Sequence, residues 1–527
     1  MASTAKEVGV SRGELPVVRT ITAFVSPATA AQAKALSAAA GAVLAACFAR
    51  LSEGGYAVQT VRVALSPFES WLGVAPGVDD EAATTAYRAS LAEAAAAALE
   101  AAKHSYHAAG AGDDAPGVLL TVGPASSPAG ALAIPHLVRT TPGVTASADV
   151  GRARGADGDA GSRTLMTMAP SADPAMCRAC AEVMSELATT TEDAAGNFQF
   201  AALARVDPCT PFFPAAFAPP AGGAAPADAA ASAAGRAAIG AEPAVGGGAT
   251  GSGAAARGPR VLVALGLQHL NITVPAAEAA AAADPAGHAQ PAAVAGAVAA
   301  ALRPHVRALQ ADIEAVVADP SLAAAVAAAH GGGAGGSGGA PALAYIGTDT
   351  SFAPNPSAPA LDRLFRAAGV PHPGASGSLA LASALTAACK TLGVGASARP
   401  LLVGYCGLML PPLEDLGLAS AVSRGQLTVS DLLSLSAVCG IGLDTVPVHV
   451  PGLFPDSEGA GADSGAEGVA AAGVAPPLER VIGDVAAMAY RLGKPLSCRL
   501  FPYASAAGSA TEFDHPHMCN TSVMALP

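Results

Sequence analysis

The stretch that decides the fold is residues 401–450, LLVGYCGLMLPPLEDLGLASAVSRGQLTVSDLLSLSAVCGIGLDTVPVHV. The alanine-rich sequence found elsewhere in the chain scarcely interrupts it. An apolar run at 401–403, interpreted as a buried strand, leads into Gly-Tyr-Cys-Gly, and the acidic pair Glu414 and Asp415 follows two prolines. Turn-rich segments after buried strands often carry binding and catalytic groups on a rigid scaffold. The stretch therefore predicts a pocket, although it does not define the chemistry.

Three residues of this stretch are candidate catalytic groups, namely Glu414, Cys439 and Asp444. Cys439 is followed by Gly440, and flanking glycines leave a thiol open enough to act as a nucleophile. A buried cysteine that packs as a small hydrophobic side chain explains the same pattern. Glu414 also has two interpretations, because a helix predicted at 413–424 would place it in the first turn, where the helix dipole favours carboxylates.

Six motifs in the second half of the chain resemble those of a known family. In chain order they are TDTSFAPNP, GASGSLALASALTAA, GLMLPPLED, SAVCGIGLDTVPV, KPLSCRLFPY and TEFDHPHM. The family is domain-of-unknown-function family 711, whose bacterial members are often labelled "PFL family protein". The resemblance implies an α/β, barrel-like arrangement of parallel or mixed strands with outer helices, similar to the barrel of pyruvate formate-lyase and ribonucleotide reductase. It implies a fold and not an activity.

The first half of the chain alternates apolar, β-branched runs with alanine-rich helical patterns. Strands are predicted at 17–25, 56–65 and 117–122, and a helix at 29–51 lies between the first two. This order favours a parallel or mixed sheet covered by helices. Arg62 in the second strand is interpreted as part of the packing of the next loop on the sheet, with ligand contact as the alternative.

Four tracts of low complexity interrupt a single predicted domain of residues 16–527. They are a disordered insertion at 222–258, similar insertions at 276–297 and 456–473, and a glycine-rich linker at 331–340. Tracts made of alanine, glycine and proline bury too little large apolar surface to offset the entropy lost on ordering. The family motifs resume after each tract, so we interpret the tracts as insertions and not as domain boundaries.

Two further residues are predicted to bind a ligand from loops. Asp349 follows a predicted strand at 343–347 and either contacts a ligand or caps its own loop as an Asx turn. Ser376 precedes a predicted helix at 379–392, where free backbone N–H groups suit an anion. The surrounding sequence lacks the Gly-Lys-Ser/Thr of a Walker motif.

The C-terminal part adds Arg499 and Glu512 to the predicted ligand-binding residues. Arg499 suits a bidentate contact to a carboxylate or phosphate, or else an ion pair with a nearby acid. Glu512 lies in TEFDHPHM, which is rich in metal-ligand side chains but has no strong metal-binding spacing, so no metal is identified. Because residues placed just after strands meet at one rim of a barrel, we expect the candidate residues to converge on one pocket.

Composition limits the class of protein. The net charge of −13 and the lack of a basic run oppose broad nucleic-acid binding. Alanine and glycine inflate the apolar fraction, and no run of about 18 bulky apolar residues predicts a membrane span. Nine irregularly placed cysteines oppose a disulfide framework and favour reduced thiols. We therefore expect a cytoplasmic protein.

The predicted function is binding of a small metabolite. One reading is a non-radical enzyme acting on a small anionic substrate, and the alternative is a non-catalytic binding or regulatory protein on the same fold. Radical chemistry is disfavoured because the C-terminal region has no Arg-Val-x-Gly-Tyr sequence of the glycyl radical enzymes. The expected partner is a small-molecule ligand, a homodimer is left open, and the sequence identifies no cofactor.

Overall fold

A computed structural model describes most of the chain. The described residues are 15–77, 79–112, 114–151, 172–221, 261–284, 286, 289–329, 342–392, 401–454 and 476–527. The insertions predicted at 222–258, 331–340 and 456–473 lie outside the described residues.

One large sheet organises the fold. Its strands are β1 Val17–Val25, β2 Val61–Leu65, β3 Val118–Ala125, β4 Val144–Asp149, β5 Phe200–Ala204, β6 Val261–Gln268, β7 Leu343–Asp349, β8 Gly442–His449, β9 Leu496–Tyr503 and β10 Met524–Ala525. They lie in the order β10-β8-β9-β5-β4-β3-β2-β1-β6-β7. β1 to β5 pair in parallel, while β6 is antiparallel to β1 and β9 is antiparallel to β5. The predicted mixed α/β class is therefore correct.

The hydrogen-bonded ladder of the sheet is open, with β7 and β10 at its two edges. Within the described residues, strand pairing does not close the barrel that the family resemblance implies. The strand predicted at 401–403 is also wrong, because only an isolated bridge between Thr348 and Leu402 joins this segment to β7. Prolines and glycines follow this apolar run closely, and it is too short to build a ladder.

Segment 401–413 nevertheless lies between β7 and β8. Phe352, just beyond β7, forms a parallel bridge with Leu408, and Gly440 N, just before β8, donates to Leu408 O at 2.7 Å. A Cβ atom on Gly407 would lie 2.5 Å from Gly440 Cα. The two backbones approach each other closely at Gly407, since only glycine leaves room for this contact.

Helices cover one face of the sheet. The α-helices are Ala30–Glu53, Glu69–Leu72, Glu81–Ala108, Pro128–Ala131, Ile134–Thr140, Pro174–Thr190, Leu270–Ala282, Pro291–Val317, Pro320–Ala328, Asp362–Ala367, Ser378–Lys390, Leu416–Ser423, Val429–Ser436 and Pro476–Leu492, and Glu192–Gln199 is a 3₁₀ segment. Alternation along the strands separates the two faces. Val61, Val63 and Leu65 of β2 join the apolar core under the helices, whereas Arg62 points to the opposite face. We call this opposite face, which also carries Arg499 of β9, the inner face.

The tract at 276–297 is not an insertion of the kind predicted. It contributes to two packed helices, Leu270–Ala282 and Pro291–Val317. Val274, Ala277 and Ala281 recur at helical spacing and are buried. Composition was misleading because alanine is the strongest helix former, so an alanine-rich tract with regular apolar positions forms a helix.

The helix Ala30–Glu53 is long and apolar enough to span a membrane by length and composition, and half of its apolar window is buried inside the protein. It packs on the helix Glu81–Ala108 so closely that a Cβ on Gly41 would lie 2.2 Å from Ala102 O. Ten of its residues are buried, including Leu36 and Leu44. These contacts are those of a core helix in an α/β protein.

Candidate functional site

A cavity of about 220 Å³ lies on the inner face. Its walls come from strands that are distant in sequence, from the segment after β5 and from residues around 405–414. The lining residues are Arg19, Gln59, Thr60, Arg62, Leu119, Gly143, Val144, Thr145, Phe198, Gln199, Ala201, Phe212, Phe213, Pro214, Ala215, Ala353, Tyr405, Glu414, Ile441, Asp444, Ser497, Arg499 and His517. Parallel strands bring these residues together because their side chains share one face of the sheet.

The segment after β5, residues 205–221, crosses the inner face and forms one wall of the cavity. Ala218 N donates to Leu65 O at 3.0 Å, and Thr22 Oγ1 donates to Pro211 O at 2.9 Å. These bonds hold the segment against β1 and β2. Phe212 and Phe213 are thereby fixed beside the polar residues of the cavity.

Bulges in two strands direct charged side chains into the cavity. The pairing of β1 with β6 shifts register between Val18 and Thr20, so Arg19 is the extra residue. The pairing of β8 with β9 shifts between Leu443 and Val446, a stretch that contains Asp444. A bulge re-aims side chains that regular alternation would send elsewhere, and such bulges are common beside functional sites.

The residue after Asp444 has a strained backbone. Thr445 adopts φ +43°, which is costly for a β-branched residue. Its hydroxyl is buried and has no hydrogen-bond partner among the described residues. The strain lies at the bulge that orients Asp444, and strain of this kind clusters at functional sites.

Arg499 lies at the centre of a buried ion-pair cluster. Its guanidinium contacts Asp444 Oδ1 through Nε at 2.7 Å and Nη2 at 2.6 Å. Nη2 also contacts Glu414 Oε1 at 2.9 Å. The second oxygen of Glu414 lies 3.2 Å from Arg19 Nη2. Each carboxylate is thus held by at least one guanidinium, as buried charges require.

Arg62 lacks such a partner. It is 8% exposed, and its Nε and Nη1 have no hydrogen-bond partner among the residues that the structure describes. The guanidinium carbon lies 4.7 Å from the centroid of the Phe213 ring, a cation–π contact that holds the group in position. Buried donors are normally satisfied, and Arg62 is the exception among the arginines of the described cavity lining.

The electrostatics follow from burial and charge. Burial lowers the pKa of Arg62 to about 9, with Arg19 and Arg499 acting in the same direction, so Arg62 is still protonated at neutral pH. Burial raises the pKa of Glu414, and Arg499 and Arg19 oppose this shift. The two guanidinium contacts favour the charged form of Glu414. Burial lowers the pKa of His517, as do the neighbouring Arg19 and Arg62.

Three of the seven predicted site residues meet in the cavity, namely Glu414, Asp444 and Arg499. The helix predicted at 413–424 begins only at Leu416, so Glu414 precedes it and turns into the cavity. Asp444 lies inside β8. Arg499 forms the ion pairs that were its alternative interpretation.

Asp349 supports the cavity from behind and is not among its lining residues. It is fully buried, and its Oδ1 accepts bonds from Ser351 N and Oγ at 2.9 and 2.6 Å, the predicted Asx turn. It also accepts from Tyr405 N at 2.8 Å and Cys406 N at 3.0 Å. Asp349 therefore fixes the loop that carries Tyr405 into the cavity wall.

The other three predicted site residues lie apart from the cavity lining. Cys439 is fully buried in the apolar core under the helices, and Lys494 Nζ donates to its carbonyl at 2.6 Å. Ser376 and Glu512 are exposed. The described residues contain no group of three His, Cys, Asp or Glu side chains able to hold a metal ion. The predicted convergence of all candidates on one pocket is therefore wrong for these residues.

Sequence reasoning did not single out Arg19 and did not favour a ligand contact for Arg62. The sequence did contain a signal for both residues, because each arginine interrupts an apolar, β-branched strand. The strand sequences are VVRTITAFV for β1 and VRVAL for β2. A cation inside such a strand must face either solvent or a polar cavity. The sequence could not decide between them without the other strands of the inner face.

The fold and cavity define a mixed α/β protein with a buried arginine–carboxylate cluster on the inner face of its sheet. The chain belongs to the family described as "Uncharacterised ACR (DUF711)", whose model matches residues 12–235 and 291–514. This confirms the family resemblance. That description assigns no activity.

Individual relatives agree with the family assignment. The chain is 33% identical over 165 residues to a "UPF0210 protein" of Pyrobaculum arsenaticum, covering 31% of this chain and 32% of that protein. It is 32% identical over 145 residues to one of Lacticaseibacillus paracasei, covering 26% and 32%. A relative in Carboxydothermus hydrogenoformans is 36% identical over 114 residues, covering 21% and 24%. The chain thus spans a third or less of the length of these relatives.

Proposed function

We propose that the protein binds a small anionic metabolite in the cavity on the inner face. The observation that carries this proposal is the buried guanidinium of Arg62, whose Nε and Nη1 have no described partner. A buried guanidinium with unsatisfied donors is costly, and the carboxylate of Glu414, whose charge Arg62 feels, is already in contact with Arg19 and Arg499. A ligand anion would supply the missing hydrogen-bond acceptors and the missing charge.

The surrounding groups support this role for Arg62 rather than for Arg499. Arg499 and Arg19 already contact the carboxylate of Glu414, and Arg499 also contacts Asp444. Their donors are therefore engaged in holding the cavity together. Arg62 is the guanidinium left to meet a ligand among the described lining residues.

Catalysis is the second candidate function, and one observation favours it. Burial raises the pKa of Glu414, which lines the cavity, and perturbed carboxyl groups in cavities are candidate acids or bases. Two guanidinium contacts oppose the use of Glu414 as a base, since they favour its charged form. Ligand binding without chemistry is therefore the better-supported function.

The test is direct binding of small anions to purified protein, measured by isothermal titration calorimetry. The ligands are benzoate, succinate and inorganic phosphate, and the variants are Arg62→Met and Arg424→Met. Arg424 is exposed outside the cavity, so its replacement changes net charge equally. We expect at least one anion to bind wild type and Arg424→Met, with at least tenfold weaker binding to Arg62→Met. Equal binding by all three proteins would refute the proposal.

We also propose that the sheet belongs to a barrel-like fold in which segment 401–413 completes the ring. Support comes from its bridges to β7 and from the bonds of Gly440 N to Leu408 O and Leu413 N to Thr445 O, at 2.7 and 3.3 Å, on the β8 side. Such closure would enclose the inner face and shield the cavity from water. A crystal structure with segment 401–413 detached from β8 would contradict this proposal.

A further inference from the structure

The charges around the cavity define the charge of its ligand. Arg19, Arg62 and Arg499 contribute three positive charges, and Glu414 and Asp444 contribute two negative charges. With both carboxylates charged in their contacts with Arg499, the described lining has one excess positive charge. A monoanion would neutralise it, whereas a dianion would leave one buried negative charge without compensation.

His517 does not alter this balance at neutral pH. It lines the cavity, and burial together with Arg19, His515 and Arg62 lowers its pKa. A histidine with a lowered pKa is neutral near pH 7. The excess charge consequently belongs to Arg62, the guanidinium without a described partner.

The remaining walls are apolar and aromatic. Phe198, Phe212, Phe213 and Ile441 face the same space as the charged groups. Their rings lie close to the cations, with Phe198 4.9 Å from Arg499 Cζ and Phe213 4.7 Å from Arg62 Cζ. A ligand with a hydrophobic body would bury its surface against these side chains while its charged end meets Arg62.

The size of the cavity limits the ligand. Its volume of about 220 Å³ corresponds to about seven water molecules at about 30 Å³ each. A ligand of roughly ten non-hydrogen atoms fits within this space at the packing density of a protein interior.

We infer that the ligand is a compact monocarboxylate with an apolar or aromatic body, whose carboxylate meets Arg62 and whose body packs against the phenylalanine wall. This inference rests on the proposed function and names the ligand class of the same cavity. A carboxylate matches the planar guanidinium with two parallel hydrogen bonds. The excess of one positive charge disfavours phosphate monoesters and dicarboxylates.

The experiment compares four probes on the full-length protein by titration calorimetry at neutral pH. Benzoate has the predicted charge and shape, benzamide has the shape without the charge, phthalate carries a second negative charge, and inorganic phosphate, a mixture of monoanion and dianion at neutral pH, lacks the apolar body. We expect benzoate to bind at least tenfold more tightly than each of the other three. We also expect its affinity to fall at least tenfold in Arg62→Met and to stay within twofold of wild type in Arg424→Met.

The outcomes distinguish failure of the monocarboxylate inference from failure of the proposed anion site. If phosphate or phthalate binds more tightly than benzoate and depends on Arg62, the monocarboxylate inference fails and the anion site stands. If benzamide equals benzoate, the charge argument fails. If no probe depends on Arg62, both the inference and the proposed function fail. Circular dichroism of Arg62→Met checks that the variant is folded.

Discussion

Replacing Arg62 with methionine should make the ligand-free protein more stable. The change removes two buried donors, Nε and Nη1, that have no described partner, and each such donor costs about 1–3 kcal/mol. The lost cation–π contact with Phe213 offsets about 0.5–2 kcal/mol of this gain. Methionine is unbranched, apolar and able to fill the vacated space. The expected net gain is about 0–5 kcal/mol in the free energy of unfolding, centred near 3 kcal/mol.

Urea denaturation followed by tryptophan fluorescence measures this change. Trp71 is the single tryptophan, it is buried beside β2, and its Nε1 donates to Ser66 O at 3.0 Å. It therefore reports on unfolding next to the strand that carries Arg62. Arg62→Lys, which keeps the charge, should not be stabilised. If Arg62→Met unfolds at lower urea than wild type, Arg62 has a structural partner and the argument for an anion site collapses.

Ligand should remove most or all of the stability advantage of Arg62→Met. At a benzoate concentration of 100 Kd, wild type should gain about 2.7 kcal/mol by mass action, whereas Arg62→Met should gain almost nothing. If Arg62→Met is more stable than wild type without ligand and is not stabilised by benzoate, then Arg62 serves ligand binding and not folding. This is the pattern expected where function is maintained at a cost in stability.

Three other perturbations test the surroundings of the cavity. Glu414→Gln should lower the free energy of unfolding in urea by about 3–5 kcal/mol, because it leaves two buried guanidinium groups without their shared carboxylate. The control Glu100→Gln, from an exposed ion pair, should change this free energy by under about 1 kcal/mol. Equal effects of the two variants would contradict the buried cluster. Benzoate affinity should rise as the pH falls below about 6.5, because His517, whose pKa burial lowers, becomes protonated beside the anion. Calorimetry of His517→Gln should show a smaller rise, since protonation of Glu414, whose pKa burial raises, also adds positive charge, and an unchanged slope would rule out His517. Gly41→Ala should lower the free energy of unfolding by about 1–3 kcal/mol through its clash with the Ala102 carbonyl. Gly296→Ala, in an open helical position, should instead raise this free energy by about 0.5–1 kcal/mol. Similar urea midpoints for the two variants would show that the helices Ala30–Glu53 and Glu81–Ala108 can move apart to relieve the clash.

The alternation of apolar residues was enough to predict β1 and the mixed α/β class. It also drew attention to Glu414, Asp444 and Arg499, which do meet in the cavity. These successes rely on local patterns, in which buried strands and the polar groups near their ends are visible in a short window of sequence.

The features of the cavity that could not be predicted from the sequence depend on contacts between distant segments. Arg19 and Asp444 reach the cavity through bulges, and a bulge exists only relative to the register of a partner strand. Arg62 looked like a packing residue because its lack of a partner becomes evident only when the whole inner face is assembled. Cys439 looked accessible beside glycines, yet Gly440 serves the close approach to Gly407, and the thiol points into the apolar core.

The order of strands has a consequence for synthesis of the chain on the ribosome. The five strands β1 to β5 form a parallel unit, and β1 and β5 lie at its two edges. The strands that pair with these edges, β6 and β9, come from the later part of the chain. β5 ends at Ala204 and β9 ends at Tyr503, so at about 5–20 residues per second the β5 edge waits roughly 15–60 s for its partner. An unpaired edge recruits foreign strands during that interval. The nascent polypeptide is therefore expected to depend on chaperones, and slower elongation or truncation after β5 should increase its aggregation.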